Sequence, residues 1–462
     1  MTITPDSTAR DQAGAVRAGE ISARELLELH LDRIDARNGE LTAIVSLDPE
    51  RAREGAAAAD EALASGAEVG PLHGLPFAFK DTHEVAGWRT TYGSVLYADH
   101  VPATDELIVE RVRRAGVVVL GRTNVPEFAA GSHTFNRVFG TTLNPHDPTR
   151  SAGGSSGGAA CALAAGMVPL ADGSDMGGSL RNPASFCGVV GLRPSLGRVP
   201  TWPQPNHWET TSVGGPLART VDDVALLLSV MAGPDPRAPQ ALGDPGSAFA
   251  PPLRGSLAGL RVAVTTDLGG AFACDREVAA VVAASAGTLA SAGARVDDEV
   301  PDLREGEDVF RTLRAWHFQA TFAERLAAHP DAFKTSLADN IRAGADLTGA
   351  DVARAYAGRT TLAHRVREFF TTHDLLVLPA SQVPPFPAEV EYPGAIDGVP
   401  TETYLDWMRA AYLVTVTGCP AVSVPFGRTA DGLPVGLQLV AAHGRDRFLL
   451  ECAAALEVLV AG

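Results

Sequence analysis

Hydrophobic positions in the first third of the chain recur at helical spacing and then give way to short, fully apolar runs. Ser22 and Glu25 form a capping-box pattern ahead of a leucine stripe, which predicts an amphipathic helix over about residues 23–36. The same patterning predicts helices near 49–64 and 105–115 and strands near 75–79 and 117–120. Helices that alternate with short β-branched runs indicate an α/β architecture around a sheet that is at least partly parallel.

The second half of the chain repeats this alternation around long irregular segments. Thr220 is placed to cap a helix that begins there, and residues 233–255 have the Pro/Gly/Ala composition of a surface loop. Further predicted elements are a strand at 260–265, a largely helical stretch at 275–372, a strand at 374–379 and a hairpin of strands 421–426 and 434–440. We expect a single domain over 1–462, with a core at 71–232, a helical covering region at 267–372 and C-terminal strands at 374–440 that complete the sheet.

The net charge of the 462-residue chain is −17 at pH 7, and its positive side chains form no cluster. Nucleic acids and anionic membranes are bound by clustered positive charge, so we expect neither as a partner. The N-terminus lacks a basic start, and no run approaches the roughly 18 apolar residues of a membrane span. These features predict a cytoplasmic protein that acts on small molecules; a homodimer is one possible assembly.

The cysteines are scattered along the chain without a CxxC pair. They are Cys161, Cys187, Cys274, Cys419 and Cys452. An odd number of dispersed cysteines fits reduced, mostly buried thiols and provides no zinc-ligand spacing. We therefore expect no metal site and no cofactor.

Two glycine-rich segments carry the serines that stand out chemically. One reads Gly-Gly-Ser-Ser-Gly-Gly at 153–158, and the other reads Gly-Ser-Asp-Met-Gly-Gly-Ser-Leu-Arg at 173–181. The residues between them suffice for a helix at 159–166 and a short strand at 167–171 that returns the chain to its starting edge. Ser155 and Ser179 are therefore able to meet at one site.

Lys80 ends the apolar strand near 75–79 and is the candidate base for such a serine. A serine hydroxyl is a poor nucleophile at neutral pH until a base takes its proton. A lysine serves as that base only when it is neutral, which requires its pKa to fall by roughly three units, about 4 kcal/mol. The apolar strand supplies part of that environment; the alternative is a strand-end lysine that reaches solvent.

Ordinary structural roles compete with catalytic ones for the other residues. Ser155 and Ser156 precede an alanine-rich helix and are suitable helix caps, and the glycines near Ser179 suit a tight turn. Turns rarely need so many glycines beside two serines, however. The Met-Gly-Gly run at 176–178 would let successive N–H groups converge on one point, as the oxyanion of a tetrahedral intermediate requires.

The motifs match a known pattern in order along nearly the whole chain. The segments at 153–158 and 173–195 together resemble the defining sequence of the amidase signature family. The segments at 74–81, 121–129, 215–223 and 432–439 also resemble that family. The resemblance implies an α/β amidase signature fold, in which a large mixed β-sheet is covered by helices on both faces, and an amidase that hydrolyses linear amide C–N bonds.

The resemblance also implies a role for each matching residue. Ser179 corresponds to the nucleophile, Ser155 to a bridging serine with an unusual cis peptide bond, and Lys80 to the base that draws the proton through Ser155. The other implied roles are an oxyanion hole of Met176, Gly177, Gly178 and Ser179 N–H groups, loop support from Ser174, Asp175 and Arg181, and substrate contacts at Ala129 and Gly131. Ala152 departs from a frequent proline, which concerns loop stiffness.

Three alternatives to a free-standing amidase arise from the same motifs. The GxSxG pattern at 153–157 satisfies the nucleophile elbow of an α/β-hydrolase, but a poor strand precedes it and no histidine stands out as its base. A phosphate-binding loop lacks the Lys-Ser/Thr ending of a Walker motif. The third alternative resembles the glutaminase-type A subunit of glutamyl-tRNA amidotransferase; the loop at 196–208 lacks the Ala-Ser-Ser-Leu-Asp-Gln run associated with it.

The substrate is the property that the sequence encodes least. Trp202 and Trp208 follow the signature segment, and Trp316, His317 and Phe318 lie in the helical region, where they form an apolar pocket or pack in the core. An apolar pocket predicts hydrolysis of neutral, hydrophobic amides. Esters and carbamates (urethanes) are further candidates because all three pass through a similar tetrahedral intermediate.

Overall fold

The structure, a computed structural model, describes residues 2–461 of the chain. Its strands are β1 Ile44–Val45, β2 Pro76–Lys80, β3 Val118–Thr123, β4 Phe135–Asn136, β5 Gly140–Thr141, β6 Leu170–Asp175, β7 Val190–Arg193, β8 Val213–Ala218, β9 Arg261–Val264, β10 Arg295–Asp297, β11 Leu375–Pro379, β12 Ala395–Ile396, β13 Val399–Pro400, β14 Ala421–Arg428 and β15 Pro434–Val440. Its α-helices are α1 Ala9–Ala18, α2 Ala23–Leu41, α3 Pro49–Ala64, α4 Leu107–Arg114, α5 Gly157–Ala164, α6 Arg181–Cys187, α7 Val221–Met231, α8 Arg276–Ser291, α9 Gly306–Ala328, α10 Thr335–Arg342, α11 Gly349–Phe369, α12 Arg409–Thr415 and α13 Asp446–Ala461.

Eleven of these strands form one mixed sheet in the order β1-β3-β2-β6-β8-β7-β14-β15-β11-β9-β10. β2 pairs in parallel with both β3 and β6, and β9 pairs in parallel with β10 and β11. In the centre, β8, β7, β14 and β15 pair in antiparallel fashion. The prediction of an α/β fold with a large mixed sheet is therefore confirmed.

Helices cover both faces of this sheet. Side chains alternate along each strand, so Phe77 and Phe79 face a hydrophobic cluster with α1, α4, α7 and α13, whereas Ala78 faces α2, α3 and α5. β11 repeats the alternation, and its second face packs against α9 and α11. No helix within residues 2–461 has both the length and the apolar character that crossing a bilayer requires.

Several elements lie where the pattern predicts them. α3 occupies the predicted range, and α2 begins as predicted and continues to Leu41. The hydroxyl of Thr220 accepts the Asp223 N–H at 3.2 Å and caps α7, as expected. β14 and β15 form the predicted antiparallel hairpin.

Other elements correct the predictions. The strand expected at 167–171 lies at Leu170–Asp175, where pairing with β2 and β8 on its two sides outweighs the low strand propensity of its Asp, Gly and Ser residues. β10 interrupts the stretch that was expected to be helical and joins the edge of the sheet. Its three residues are too few and too polar to give a strand pattern. The sequence pattern also missed α1, α6, α12, α13, β7 and β8.

Candidate active site

Lys80 is the last residue of β2, beside the parallel strand β6. The side chain is fully buried, and its Nζ lies 2.8 Å from Ser155 Oγ, 2.9 Å from Ser174 Oγ and 3.0 Å from Ser156 Oγ. Burial lowers the pKa of Lys80 to about 7, against the opposing effect of nearby carboxylates. The amine therefore has the surroundings of a base rather than of a surface lysine.

Ser155 and Ser156 immediately precede α5, and the Gly154–Ser155 peptide bond is cis. Ser156 occupies the N-cap position, but its side chain makes no capping hydrogen bond and contacts the Lys80 amine instead. Glycine is needed at Gly158, because a Cβ there would lie 2.3 Å from the backbone nitrogen of Asn124. The first turn of α5 is thus packed against the backbone that follows β3.

Ser179 lies in the turn between β6 and α6, and its carbonyl accepts the Ser156 N–H at 3.2 Å. This bond ties the two glycine-rich segments together. Ser155 and Ser179 both line one cavity, although their hydroxyls are not hydrogen-bonded to each other within residues 2–461. The structure therefore joins Lys80 to Ser155 directly and places Ser179 beside the same space.

Asp175 holds the turn that carries Ser179. Its carboxylate accepts the Gly178 N–H at 3.0 Å and the Leu180 N–H at 3.1 Å. It also pairs with Arg181 at 2.8 Å and Arg193 at 3.1 Å, and all three charged side chains are fully buried. Burial alone would raise the pKa of Asp175, but the two guanidinium groups and the hydrogen bonds hold it well below its usual range. The implied supporting role of Asp175 and Arg181 has this geometry behind it.

Backbone N–H groups in this turn differ in what they contact. The Gly178 N–H is engaged by Asp175, so it is not free for a ligand. In contrast, the N–H groups of Met176, Gly177 and Ser179 have no acceptor among residues 2–461. Three of the four N–H groups expected at an oxyanion hole are therefore unoccupied.

A cavity of about 280 Å³ adjoins Ser155 and Ser179. It is lined by Phe128, Ala129, Ser155, Ser174, Met176, Ser179, Gln204, Pro205, Asn206, Glu209, Ser212, Arg314, His317, Phe318, Thr321 and Phe322. The lining combines aromatic residues with ionisable groups. Its size and mixed lining are those of a small-molecule site.

Arg314 is the most unusual of the ionisable residues that line the cavity. Its guanidinium is buried, stacks 4.1 Å from the centre of the Phe318 ring and donates to Tyr404 Oη at 2.8 Å and Asn340 Oδ1 at 3.1 Å. No carboxylate lies within salt-bridge distance of it in residues 2–461. The other buried arginines, Arg122, Arg181, Arg193 and Arg198, each pair with an aspartate.

The four residues expected to contact substrate are divided by the structure. Ala129 lines the cavity, whereas Gly131 lies outside its lining, close to the Lys334 side chain. Trp202 packs under the Arg237 guanidinium at 4.6 Å and borders a separate cavity of about 80 Å³. Trp208 is 67% exposed and does not line the main cavity. Of the helical residues considered, His317 and Phe318 line it.

Sequence reasoning missed several residues of the site. Asp172 accepts the Lys80 backbone N–H at 3.0 Å, and its place inside a strand gave no signal. Phe128 and Phe322 form an aromatic wall with Phe318, and Arg314 adds a buried positive charge beside it. The two glycine-rich motifs identify chemistry near themselves, but the face of a distant helix that covers them is set only by tertiary packing.

Known proteins resemble this chain along nearly its whole length. The family model described as Amidase matches residues 25–450. An acylamidase of Rhodococcus erythropolis is 36% identical over 98% of this chain and 95% of its own. The A subunit of the glutamyl-tRNA(Gln) amidotransferase of Synechococcus sp. (strain CC9605) is 37% identical over 92% of this chain and 90% of its own.

A solved structure extends the comparison to the fold. A bacterial aryl acylamidase of the amidase signature (AS) enzymes family superposes with a TM-score of 0.91 at 30% identity, over 98% of this chain and 96% of its own. The motifs, the fold and the relatives agree along nearly the full length. The chain therefore belongs to the amidase signature family of amide-hydrolysing enzymes.

Proposed function

We propose that the chain hydrolyses carboxylic amides through an acyl-enzyme on Ser179, with Lys80 as the base and Ser155 as the proton carrier. The observation that carries this proposal is the 2.8 Å contact between a fully buried lysine amine and Ser155, beside the cavity that Ser179 lines. Since the pKa of Lys80 is lowered to about 7, a substantial fraction of the amine is neutral at physiological pH. A neutral amine at hydrogen-bond distance is a competent general base.

In the first half of the reaction, Lys80 takes a proton from Ser155 while Ser155 takes the proton of Ser179, and Ser179 Oγ attacks the carbonyl carbon. Catalytic hydrogen bonds often tighten only with substrate, and we propose that the Ser179 hydroxyl turns toward Ser155 at that stage. The N–H groups of Met176 and Gly177, with that of Ser179, stabilise the oxyanion. The proton returns to the leaving nitrogen, the amine departs, and water hydrolyses the ester by the same path.

The aromatic wall supports a substrate with an apolar group. Phe128, Phe318 and Phe322 provide flat apolar surface, and Ala129 adds a small side chain beside them. We propose neutral, hydrophobic amides as the principal substrates, with esters and carbamates as further ones because their carbonyls form a similar tetrahedral intermediate. This wall replaces the tryptophan pocket expected from Trp202 and Trp208, which lie elsewhere.

A glutaminase activity within an amidotransferase complex is the second candidate. The observation that favours it is Arg314, a buried guanidinium on the cavity wall without a carboxylate partner in residues 2–461. A free carboxylate such as that of glutamine suits this group electrostatically. The Synechococcus relative is named as part of such an enzyme. Hydrolysis of simple amides by the purified chain without a partner would favour the first candidate. Turnover of glutamine and of no other amide would favour the second.

The proposal is tested with a panel of anilides, primary amides, esters, carbamates and glutamine. Ser179→Ala and Lys80→Met are each expected to lower kcat/KM by at least about a thousandfold on every substrate turned over. For the wild type, kcat/KM is expected to rise with pH through about 7, as Lys80 loses its proton.

Two histidine variants serve as controls. His373→Gln and His443→Gln are expected to retain activity, since neither residue lines the cavity. Loss of activity in either variant would favour a histidine base and the α/β-hydrolase alternative. Full activity of Lys80→Met at neutral pH would contradict the assignment of Lys80 as the base.

A further inference from the structure

A chain of ionisable side chains lies directly behind the catalytic lysine. Asp172 Oδ1 accepts the backbone N–H of Lys80 at 3.0 Å, and Asp172 Oδ2 lies 3.4 Å from His83 Nε2. Neither Asp172 Oδ2 nor His83 Nε2 has a hydrogen-bond partner in residues 2–461, so each is the other's ionic neighbour. On its other side, His83 Nδ1 lies 2.7 Å from Glu106 Oε2. One imidazole therefore bridges two carboxylates.

The remaining charges near Lys80 are already compensated. Asp175 is paired with two arginines, and Arg122 is paired with Asp81. Asp172 is fully buried, and within residues 2–461 it has no cation in direct contact other than His83. An uncompensated carboxylate at this position would stabilise a positive charge on the Lys80 amine.

We propose that His83 is a positioning residue, whose imidazolium compensates the charge of Asp172 and thereby keeps the Lys80 amine in the uncharged state that catalysis uses. The inference rests on the proposed function of Lys80 as the base. It adds residues that touch neither the substrate nor the reacting serines. His83 and Asp172 act on the reaction by changing the electrostatic environment of the Lys80 amine.

The protonation of this pair fits the inference. Burial lowers the pKa of His83, but Glu106 and Asp172 outweigh it and raise that pKa above its usual value. Burial raises the pKa of Asp172, which His83 opposes. Two carboxylates around one imidazole thus favour its protonated form near neutral pH.

The sequence allows the charge of Lys80 to be measured directly, because Lys80 and Lys334 are its two lysines. Protein labelled with [13C]lysine gives side-chain carbon signals from these two residues, and Lys334→Arg assigns them. The titration of Lys80 is then followed in the wild type, in His83→Gln and in Asp172→Asn. This readout reports the charge of the amine without requiring turnover.

The two variants are expected to shift the titration in opposite directions. His83→Gln removes the compensating cation and raises the pKa of Lys80 by about one unit, whereas Asp172→Asn removes the carboxylate and lowers it by a similar amount. The matched control is His373→Gln, which removes another buried histidine paired with an aspartate, 3.0 Å from Asp297 at the sheet edge. The control is expected to leave Lys80 unchanged.

Activity provides a second readout. The pH at which kcat/KM rises is expected to shift with the pKa of Lys80. The kcat/KM of His83→Gln is therefore expected to be roughly tenfold below that of the wild type at pH 6 and to equal it at high pH. An unchanged Lys80 titration in both variants, or shifts in the same direction, would overturn the inference. Lys80 shifts that the activity profile does not follow would instead support the charge pair and contradict Lys80 as the base.

Discussion

The lowered pKa of the buried Lys80 has an energetic consequence at the scale of one residue. Its pKa is about 7 in the folded chain and about 10.4 in an unfolded one. Between these values the unfolded state binds more protons, so folding gains stability as pH rises through that window. The proposed base is therefore destabilising to the fold at neutral pH.

Lys80→Met tests this cost because it keeps the apolar stem and removes the amine. The difference in free energy of unfolding between wild type and Lys80→Met is expected to move in favour of the wild type by about 1.4 kcal/mol per pH unit from roughly pH 7 to pH 10. Urea denaturation across this range measures it. Groups that do not sense the Lys80 charge titrate alike in both proteins and cancel in the difference, and a difference independent of pH would mean that Lys80 stays charged in the fold.

At the scale of elements, the turn between β6 and α6 decides whether the site is formed. Gly178 has φ of +109°, and a Cβ there would lie 2.6 Å from the Cβ of Ala411 and 2.7 Å from Asn182 Nδ2. The glycine is required both by its backbone conformation and by the close approach of α12. The turn is thus fixed by contacts with a helix more than 200 residues away in sequence.

Gly178→Ala is expected to be more damaging than an alanine at another left-handed glycine. Gly398→Ala is the matched control, because Gly398 has φ of +81° with no atom within 4 Å of an added Cβ. Gly398→Ala should lower the free energy of unfolding by about 1 kcal/mol and keep its activity. Gly178→Ala should lower the free energy of unfolding by about 1–3 kcal/mol more and lower kcat at least tenfold. Urea denaturation and steady-state kinetics measure both; equal effects would show that the close contact is unimportant.

How far the elements could be predicted depended on how local their causes are. The capped helices α2 and α7 and the hairpin of β14 and β15 carry their signals in neighbouring residues, and they were predicted correctly. The two serine segments stand out locally by their glycines, whereas the neighbours of Lys80 also fit a strand-end lysine that reaches solvent, and its assignment as base comes from the resemblance to the amidase signature family. β10 and the shifted β6 owe their strand structure to partners that are distant in sequence. The position of Arg314 and Phe322 at the cavity likewise depends on packing between elements that are distant in sequence. No local pattern contains that information.

At the scale of the whole molecule, the turn that carries Ser179 depends on both halves of the chain. The Arg181 guanidinium forms an ion pair with Asp175. It also donates to the Ala411 carbonyl at 2.8 Å and to Thr415 Oγ1 at 3.0 Å, and it contacts Gln438. The sheet joins the same halves, because β7 pairs with β14. We therefore expect the N-terminal and C-terminal portions to unfold together.

Two buried tryptophans provide probes for this expectation. Trp88 packs in the cluster with β2, and Trp407 stacks near Phe186 at a ring distance of 5.8 Å in the second cluster. Two variants, each of which keeps one of these two residues as its single tryptophan, are expected to show the same urea midpoint by fluorescence. That midpoint is expected to coincide with the loss of activity. Separate midpoints would mean that the C-terminal strands form a unit of their own. Coincidence follows physically because unfolding the C-terminal portion removes the Ala411, Thr415 and Gln438 acceptors of the Arg181 guanidinium, and each hydrogen bond lost by a charged group costs about 1.5–3 kcal/mol.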